Sequence, residues 1–206
     1  QGYGVGLYPS SNLVAVKAPV FSFQKLNDVD VALSPEMKST GEVLGIDTEY
    51  EKALLKAFMA AGIPIINSGN VLVSLRKNDL PESLELVEKL ISLGFKIITT
   101  EGNAEFYRKN GIEISTIDKT NTELIQSKMK NNEINIVINT PTKGKDPQKY
   151  GFKIRSLSQQ YKIPCFTSLD TANAYITAIE TYRNSNDITY ETINYYKNLE
   201  LEAVIA

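Results

Sequence analysis

The spacing of apolar residues between positions 70 and 182 predicts a regular alternation of strands and helices. Five short runs rich in apolar and β-branched residues are each followed by a segment with helical periodicity. The strands are predicted in "NVLVSL", "FKIIT", "IEISTI", "INIVIN" and "IPCFTS". The second and fourth runs are predominantly apolar, which is typical of parallel strands buried on both faces. We therefore predict an α/β fold with a five-stranded parallel sheet and helices on both faces.

The segments that flank this region have weaker patterns. "NLVAVKAPVFSF" alternates like a strand that Pro19 interrupts, and the stretch from there to Asp47 predicts only a loop. "YEKALLKAFMAAG" predicts a helix that ends at Gly62. Residues 187–206 predict one more amphipathic helix. Residues 1–45 therefore look like the edge of a larger unit.

The overall composition narrows the classes of function. Hydrophobic residues make up 42% of the chain, charged residues 22%, and the net charge is −2, as in ordinary globular domains. We expect no nucleic-acid partner because this charge does not attract a polyanion, and no membrane partner because no apolar stretch is long enough to span a bilayer. The single cysteine, Cys165, favours a cytoplasmic location. The absence of histidine removes the commonest general base and the commonest metal ligand.

Polar side chains collect where the predicted strands end. Because ligands of open parallel sheets bind past the carboxyl ends of the strands, these residues are candidates for a binding site. A glycine before a helix N-terminus, several hydroxyls and amides, and one lysine are suited to holding a phosphate. The candidates are Ser74, Thr100, Gly102, Asn103, Lys119, Asn139 and Thr140.

Two further observations concern the chemistry of this edge. Lys143 and Lys145 follow the fourth strand and are candidates for a flap that closes over a bound anion. The acid/base candidates there are Glu101 and Asp118, and nothing in the sequence pairs them, so we predict no catalytic residue. Serine, threonine, asparagine and glycine also cap helices and form turns. The residues alone therefore leave a structural role open for each candidate.

Several segments carry a resemblance to a known family: "SPEMKSTGEVLGID", "VLVSLR", "GFKIITTEGNAEF", "NNEINIVINTPTKGK", "YGFKIRS" and "IPCFTSLDTANA". Together they resemble the large subunit of glutamine-hydrolysing carbamoyl-phosphate synthases. The resemblance implies that residues 1–45 are the C-terminal edge of the second ATP-grasp half and 46–69 a connecting helix and linker. It implies a methylglyoxal synthase-like allosteric domain over 70–182 and a helical tail over 183–206.

The resemblance also implies a function. The family makes carbamoyl phosphate from bicarbonate, glutamine-derived ammonia and ATP for pyrimidine and arginine biosynthesis, with ATP and Mg or Mn as cofactors. This chain would be a non-catalytic part, without a cofactor of its own, that binds a nucleotide effector. UMP is the first expectation, with IMP or a phosphoribosyl metabolite as alternatives. The implied partners are the glutaminase small subunit, the rest of the large subunit and, as an open alternative, further copies of the chain.

The resemblance assigns roles to individual positions. Ser74, Thr100, Lys119 and Asn139 match residues that hold the effector phosphate and its surroundings, and Thr140 is adjacent to them. The chain departs from the family where Leu80 replaces a frequent lysine, and where Asn103 and Pro141 each replace a threonine. These departures keep open an alternative, a structural or oligomerisation module with a decayed effector site.

Methylglyoxal synthase itself is the enzymatic alternative within the same fold. The resemblance implies that this enzyme uses a catalytic aspartate in a glycine-rich segment and a histidine, and this sequence has neither. We therefore predict a binding domain in preference to an independent enzyme.

Overall fold

The computed structural model describes residues 12–21, 37–141, 150–185, 188–196 and 198. The described chain folds into strands and helices that alternate from residue 70 onward. The strands are β1 Val14–Phe21, β2 Ser39–Asp47, β3 Asn70–Ser74, β4 Lys96–Thr100, β5 Ser115–Ile117, β6 Ile136–Asn139 and β7 Cys165–Phe166. The helices are α1 Tyr50–Ala60, α2 Ser83–Ser92, α3 Glu101–Lys109, α4 Thr122–Lys130, α5 Tyr150–Gln160 and α6 Leu169–Asn184, with a short 3-10 turn at Lys77–Asp79.

Five of the strands form one sheet in the order β5-β4-β3-β6-β7. Every neighbouring pair in it is parallel: Leu72 of β3 lies opposite Ile98 of β4 and Val137 of β6. The outer pairs β4–β5 and β6–β7 are parallel as well. This arrangement confirms the five-stranded parallel sheet predicted from the sequence.

The sheet is covered on both faces because its central strands β3 and β6 are apolar except at their end residues. Val71 and Val73 point into a core cluster that includes residues of α1, α2, α3 and α6. Leu72 and Val137 point to the opposite face, into a smaller cluster with residues of α4 and α5. Successive residues of a strand face opposite sides of the sheet, so a strand buried on both faces needs an unbroken apolar run.

The order of the strands creates a crevice at one edge of the sheet. The chain leaves β3 through α2 and builds β4 and β5 on one side, then returns through α4 to build β6 and β7 on the other. The strand order therefore reverses between β3 and β6. Ser74 and Asn139 pair at the carboxyl ends of these two strands. In open α/β sheets, ligands bind at such a point, which we call the β3–β6 crevice.

The region before the sheet corrects the sequence prediction. Residues 39–47 were predicted as a loop, but they form β2, which pairs antiparallel with β1. The glycines Gly41 and Gly45 and several polar residues hide the apolar alternation. Gly45 lies so close to the α1 backbone at Ala53 and Ala57 that a Cβ atom there would overlap it. The strand is therefore stabilised by its ladder to β1 and by packing on α1.

Two further details differ from the prediction. Pro19 lies within β1, opposite Glu42, and does not interrupt it, because an edge strand tolerates a missing N–H. Residues 188–192 are not helical, and a helix begins only at 193. The backbone N–H of Tyr195 donates to Thr192 Oγ1 over 3.3 Å, so Thr192 acts as its N-cap. The predicted single helix over 187–206 is therefore wrong for residues 188–192.

Candidate functional site

The backbone that follows β3, residues 74–76, is held by side chains from neighbouring elements. Asn103, in the first turn of α3, accepts a hydrogen bond from Leu75 N–H over 2.8 Å and donates from Nδ2 to Leu75 O over 3.2 Å. Thr140 Oγ1 accepts from the N–H of Arg76 over 2.9 Å. Leu75, Asn103 and Thr140 are all buried. These bonds satisfy backbone groups that the sheet no longer pairs.

Asn139 joins the same group from the end of β6. Its Nδ2 donates to Ser74 O over 2.9 Å, and its Oδ1 accepts from Arg155 Nη1 over 2.7 Å. The side chain is buried, with 2% of its surface exposed. Ser74, Asn103, Asn139 and Thr140 are therefore brought together around the β3–β6 crevice, as the sequence predicted for residues at strand ends.

Arg155 is part of this group, although the sequence analysis missed it. It lies on α5 with 5% of its surface exposed, among the buried residues Ile154 and Ser158 on the inward side of that helix. A charged residue in the apolar phase of an amphipathic helix is unexpected, and this was the signal available in the sequence. Gly151, one turn earlier, makes room for it: a Cβ there would lie 3.3 Å from Arg155 Nη1 and 3.4 Å from Asn139 Oδ1.

The start of α3 contributes the next group. Thr100 is the N-cap residue and is buried, and its backbone is extended before the helix begins at Glu101. Gly102 is exposed, and no atom of the described residues lies within 4 Å of where its Cβ would be. The unpaired N–H groups of this first turn favour an anion. A ligand could therefore approach the α3 backbone at Gly102.

Lys119 lies apart from the other candidates. It is exposed in the turn between β5 and α4, next to Asp118, whose carboxylate accepts hydrogen bonds from the backbone and side chain of Thr120. Three strand spacings separate β5 from β6, which is about 14 Å across the sheet. The strand ends that carry Lys119 and Asn139 are therefore well separated, and the long, exposed lysine side chain would have to reach inward along the edge to share a ligand with Asn139.

The carboxylates around this edge are held in their ionised form. Hydrogen bonds from Arg76 lower the pKa of Asp79, and Arg108 lowers the pKa of Glu101. The backbone N–H of Thr120, followed by its hydroxyl, lowers the pKa of Asp118. Carboxylates with a lowered pKa are poor proton donors and weak bases near neutral pH. The described rim is thus better suited to binding than to acid–base catalysis.

The positions that depart from the family pattern have structural roles. Leu80 is 4% exposed and packs in the larger core cluster, so its apolar side chain replaces a cation with a core contact. Pro141 directly follows β6 and Thr140. Lys143 and Lys145, the candidate flap, lie outside the described residues.

Within the described ranges, no group of acidic or cysteine side chains could hold a metal ion. Nor does any described helix combine the length and apolarity that crossing a membrane requires.

Comparison with known proteins identifies relatives over nearly the full chain. Residues 82–167 match the family described as MGS-like domain. The carbamoyl phosphate synthase large chain of Caldanaerobacter subterraneus subsp. tengcongensis is 42% identical over 203 residues, which are 98% of this chain and 19% of that protein. The large chain of Thermoanaerobacter pseudethanolicus is 43% identical over the same shares of each chain. That of Clostridium acetobutylicum is 40% identical over 196 residues, 95% of this chain and 18% of that protein.

The chain therefore spans less than a fifth of the length of the relatives it matches, 18–19%. The match extends beyond the parallel sheet to the β1–β2 pair, because it covers 98% of the chain. The chain thus contains an MGS-like domain and is homologous, along nearly its whole length, to the C-terminal part of carbamoyl phosphate synthase large chains.

Proposed function

We propose that this chain is the regulatory part of a carbamoyl phosphate synthase large chain and binds a nucleotide effector at the carboxyl edge of its parallel sheet. The observation that carries the proposal is the row of polar groups along four adjacent strand ends, from Lys119 past Thr100 and Ser74 to Asn139. Such a row, about 14 Å long, suits an extended ligand better than a single ion. UMP is the effector we propose first, with IMP and a phosphoribosyl metabolite as alternatives.

The polar groups also suit the parts of a nucleotide. The N-terminus of α3 offers backbone N–H groups and a glycine without a side chain, which favours close approach by a phosphate. Lys119 adds a full positive charge in solvent at the end of the row. The amide and hydroxyl groups around the β3–β6 crevice supply hydrogen-bond donors of the kind that bind a phosphate oxygen or a ribose.

We further propose that the chain does not catalyse a reaction alone. Its parent protein would make carbamoyl phosphate from bicarbonate, glutamine-derived ammonia and ATP with Mg or Mn, together with a glutaminase small subunit. Residues 1–45 would be the edge of the second ATP-grasp half. Incubated with ATP, bicarbonate and ammonia, the purified chain should form no carbamoyl phosphate. Measurable turnover would contradict this part of the proposal.

Isothermal titration of UMP into the folded chain tests effector binding, with IMP as a second ligand. Lys119→Ala should weaken UMP binding about ten- to hundredfold, because the charge-assisted hydrogen bond from the lysine ammonium to the phosphate is lost. Lys130→Ala is the matched control, since Lys130 is an exposed lysine in the last turn of α4, away from the strand ends. No heat with either nucleotide on a folded sample would refute the proposal. If Lys119→Ala binds UMP with unchanged affinity, the phosphate does not bind near the end of β5.

A second candidate function has support from a specific observation. Asn103, Asn139 and Thr140 each make at least one hydrogen bond to the backbone of residues 74–76, as expected in a module that serves packing or oligomerisation. Leu80 packs in the core, at a position where the family resemblance implies a frequent lysine. Under this alternative the chain would bind neither nucleotide, and the concentration dependence of its mass in sedimentation would report self-association.

A further inference from the structure

We propose that Arg155 is a positioning residue of the candidate effector site: it orients the Asn139 side chain so that N–H, and not C=O, is presented at the β3–β6 crevice. The inference rests on the proposed function and deepens it, because it names the residue that makes this part of the site selective for an anionic group. Neither the strand ends nor the family resemblance assigns a role to Arg155.

The orientation of the Asn139 carboxamide follows from the chemistry of its two neighbours. A guanidinium group donates hydrogen bonds and cannot accept one, so the atom 2.7 Å from Arg155 Nη1 must be oxygen. A backbone carbonyl accepts and cannot donate, so the atom 2.9 Å from Ser74 O must be nitrogen. The two contacts agree on a single orientation. Removing Arg155 would leave only one of the two constraints.

The consequence for a ligand lies in the hydrogens of Nδ2. One hydrogen of Nδ2 is used by Ser74 O, and no described residue accepts the second. Asn139 is the last residue of β6 and pairs with the last residue of β3, so this donor belongs to the crevice between them. A donor held at the strand ends binds an acceptor oxygen, most strongly an anionic phosphate or carboxylate oxygen, and does not bind an ammonium group.

Burial strengthens the effect. Arg155 and Asn139 are 5% and 2% exposed, so their hydrogen bond lies in a medium of low dielectric constant, where a charged donor polarises its acceptor strongly. An arginine guanidinium remains charged in such surroundings. Polarisation of Oδ1 draws electron density away from Nδ2 and makes its remaining N–H a better donor. Gly151 leaves the space in which this pair fits.

The experiment compares UMP, uridine and inorganic phosphate on the full chain by calorimetric titration. Arg155→Gln should lower the preference for UMP over uridine about tenfold or more and leave uridine binding nearly unchanged. Arg155→Lys, which keeps a charged donor, should restore part of the preference. Lys130→Gln changes the charge equally at an exposed site and should leave the preference unchanged. An unaltered preference in folded Arg155→Gln would overturn the inference.

A measurement on the unmodified chain covers the case in which Arg155→Gln fails to fold. The side-chain amide signals of Asn139 in a ¹⁵N-correlated NMR spectrum should shift when UMP or phosphate is added, and not when uridine is added. If UMP binds but the Asn139 signals shift equally with uridine, or do not shift at all, the inference about Arg155 is overturned and the proposed function is not. If the unmodified chain binds neither UMP nor IMP nor phosphate, the proposed function fails, and this inference fails with it.

Discussion

Replacing Asn103 with alanine separates the structural from the ligand-binding interpretation of the strand-end residues. Asn103 makes two hydrogen bonds to Leu75, one to its N–H and one to its C=O, in a buried position. Leu75 itself is 8% exposed, so water cannot readily replace either bond. Asn103→Ala therefore leaves one buried backbone donor and one buried backbone acceptor without their partner.

The expected loss of stability follows from these two groups. A buried backbone group without a partner costs about 1–3 kcal/mol, so the pair costs about 2–6 kcal/mol. Alanine is the better helix former, which returns about 0.6 kcal/mol within α3. The net loss in the free energy of unfolding should be about 1.4–5.4 kcal/mol. That is a large part of the roughly 5–15 kcal/mol that stabilises a typical domain.

Urea unfolding followed by far-ultraviolet circular dichroism measures this loss. The matched control is Asn110→Ala at the C-cap of the same helix, because Asn110 is exposed and makes one bond from Nδ2 to Phe106 O. That control should cost less than about 1 kcal/mol. If the two variants unfold at the same urea concentration, Asn103 does not hold the backbone after β3. Its side chain would then be available to a ligand, as the family resemblance implies for the threonine it replaces.

Three further predictions concern glycines and one buried ion pair. Gly102→Ala should raise stability by about 1 kcal/mol in urea unfolding, because alanine is the better helix former and the added Cβ meets no described atom within 4 Å. The same variant should bind UMP more weakly, and an unchanged affinity would argue against close approach of a ligand to α3. Gly151→Ala should change stability little but weaken UMP binding in calorimetry, since its Cβ crowds Arg155 and Asn139; equal affinity would contradict the tight fit. Lys56→Met should cost about 3 kcal/mol at neutral pH, because it leaves the poorly exposed Asp47, 2.7 Å from Lys56 Nζ, without its partner. Burial raises the pKa of Asp47, but the hydrogen bond from Lys56 and further contacts lower it overall, so its contribution is present at neutral pH and lost as the pH falls through the lowered pKa. On acidification, Lys56→Met should therefore lose less free energy of unfolding than the unmodified chain. An equal loss in both would show that the Lys56–Asp47 pair does not cause this pH dependence.

The central sheet could be predicted because its sequence signal is local. A strand such as β6, buried at all four positions, is apolar except at Asn139, whose side chain is hydrogen-bonded. The helices between the strands end at glycines such as Gly94, whose φ of 80° disfavours other residues. The strand β2 had no comparable signal. Its stability depends on β1 and on the fit of Gly45 against α1, and both are contacts between residues far apart in the sequence. Apolar periodicity therefore could not reveal it.

The candidate site was predictable in location but not in its hydrogen bonds. Parallel strands end at one edge, so Ser74 and Asn139 had to be neighbours once the sheet was assigned. The partners of a side chain depend on which elements pack there, and only the structure brings Arg155 of α5 to Asn139. The strand order could not be derived either, and it puts three strand spacings between Lys119 and Asn139.

The two interpretations of the strand-end residues need not exclude one another in physical terms. A binding site is most selective when its groups are held in place before the ligand arrives, and the bonds from Asn103 and Thr140 to the backbone after β3 do this. An asparagine has one oxygen and two N–H hydrogens, so Asn139 can hold Ser74 O, accept from Arg155 and still keep one donor. Asn103 uses the same two atoms of its amide, but both of its bonds go to the backbone of Leu75, so its loss leaves two backbone groups unpaired. We therefore expect substitutions at Asn103 to change mainly stability, and substitutions at Arg155 to change mainly the choice of ligand. If both substitutions changed only stability, the chain would be a packing module. If both changed only affinity, the strand-end residues would form a binding site that does not help to hold the backbone.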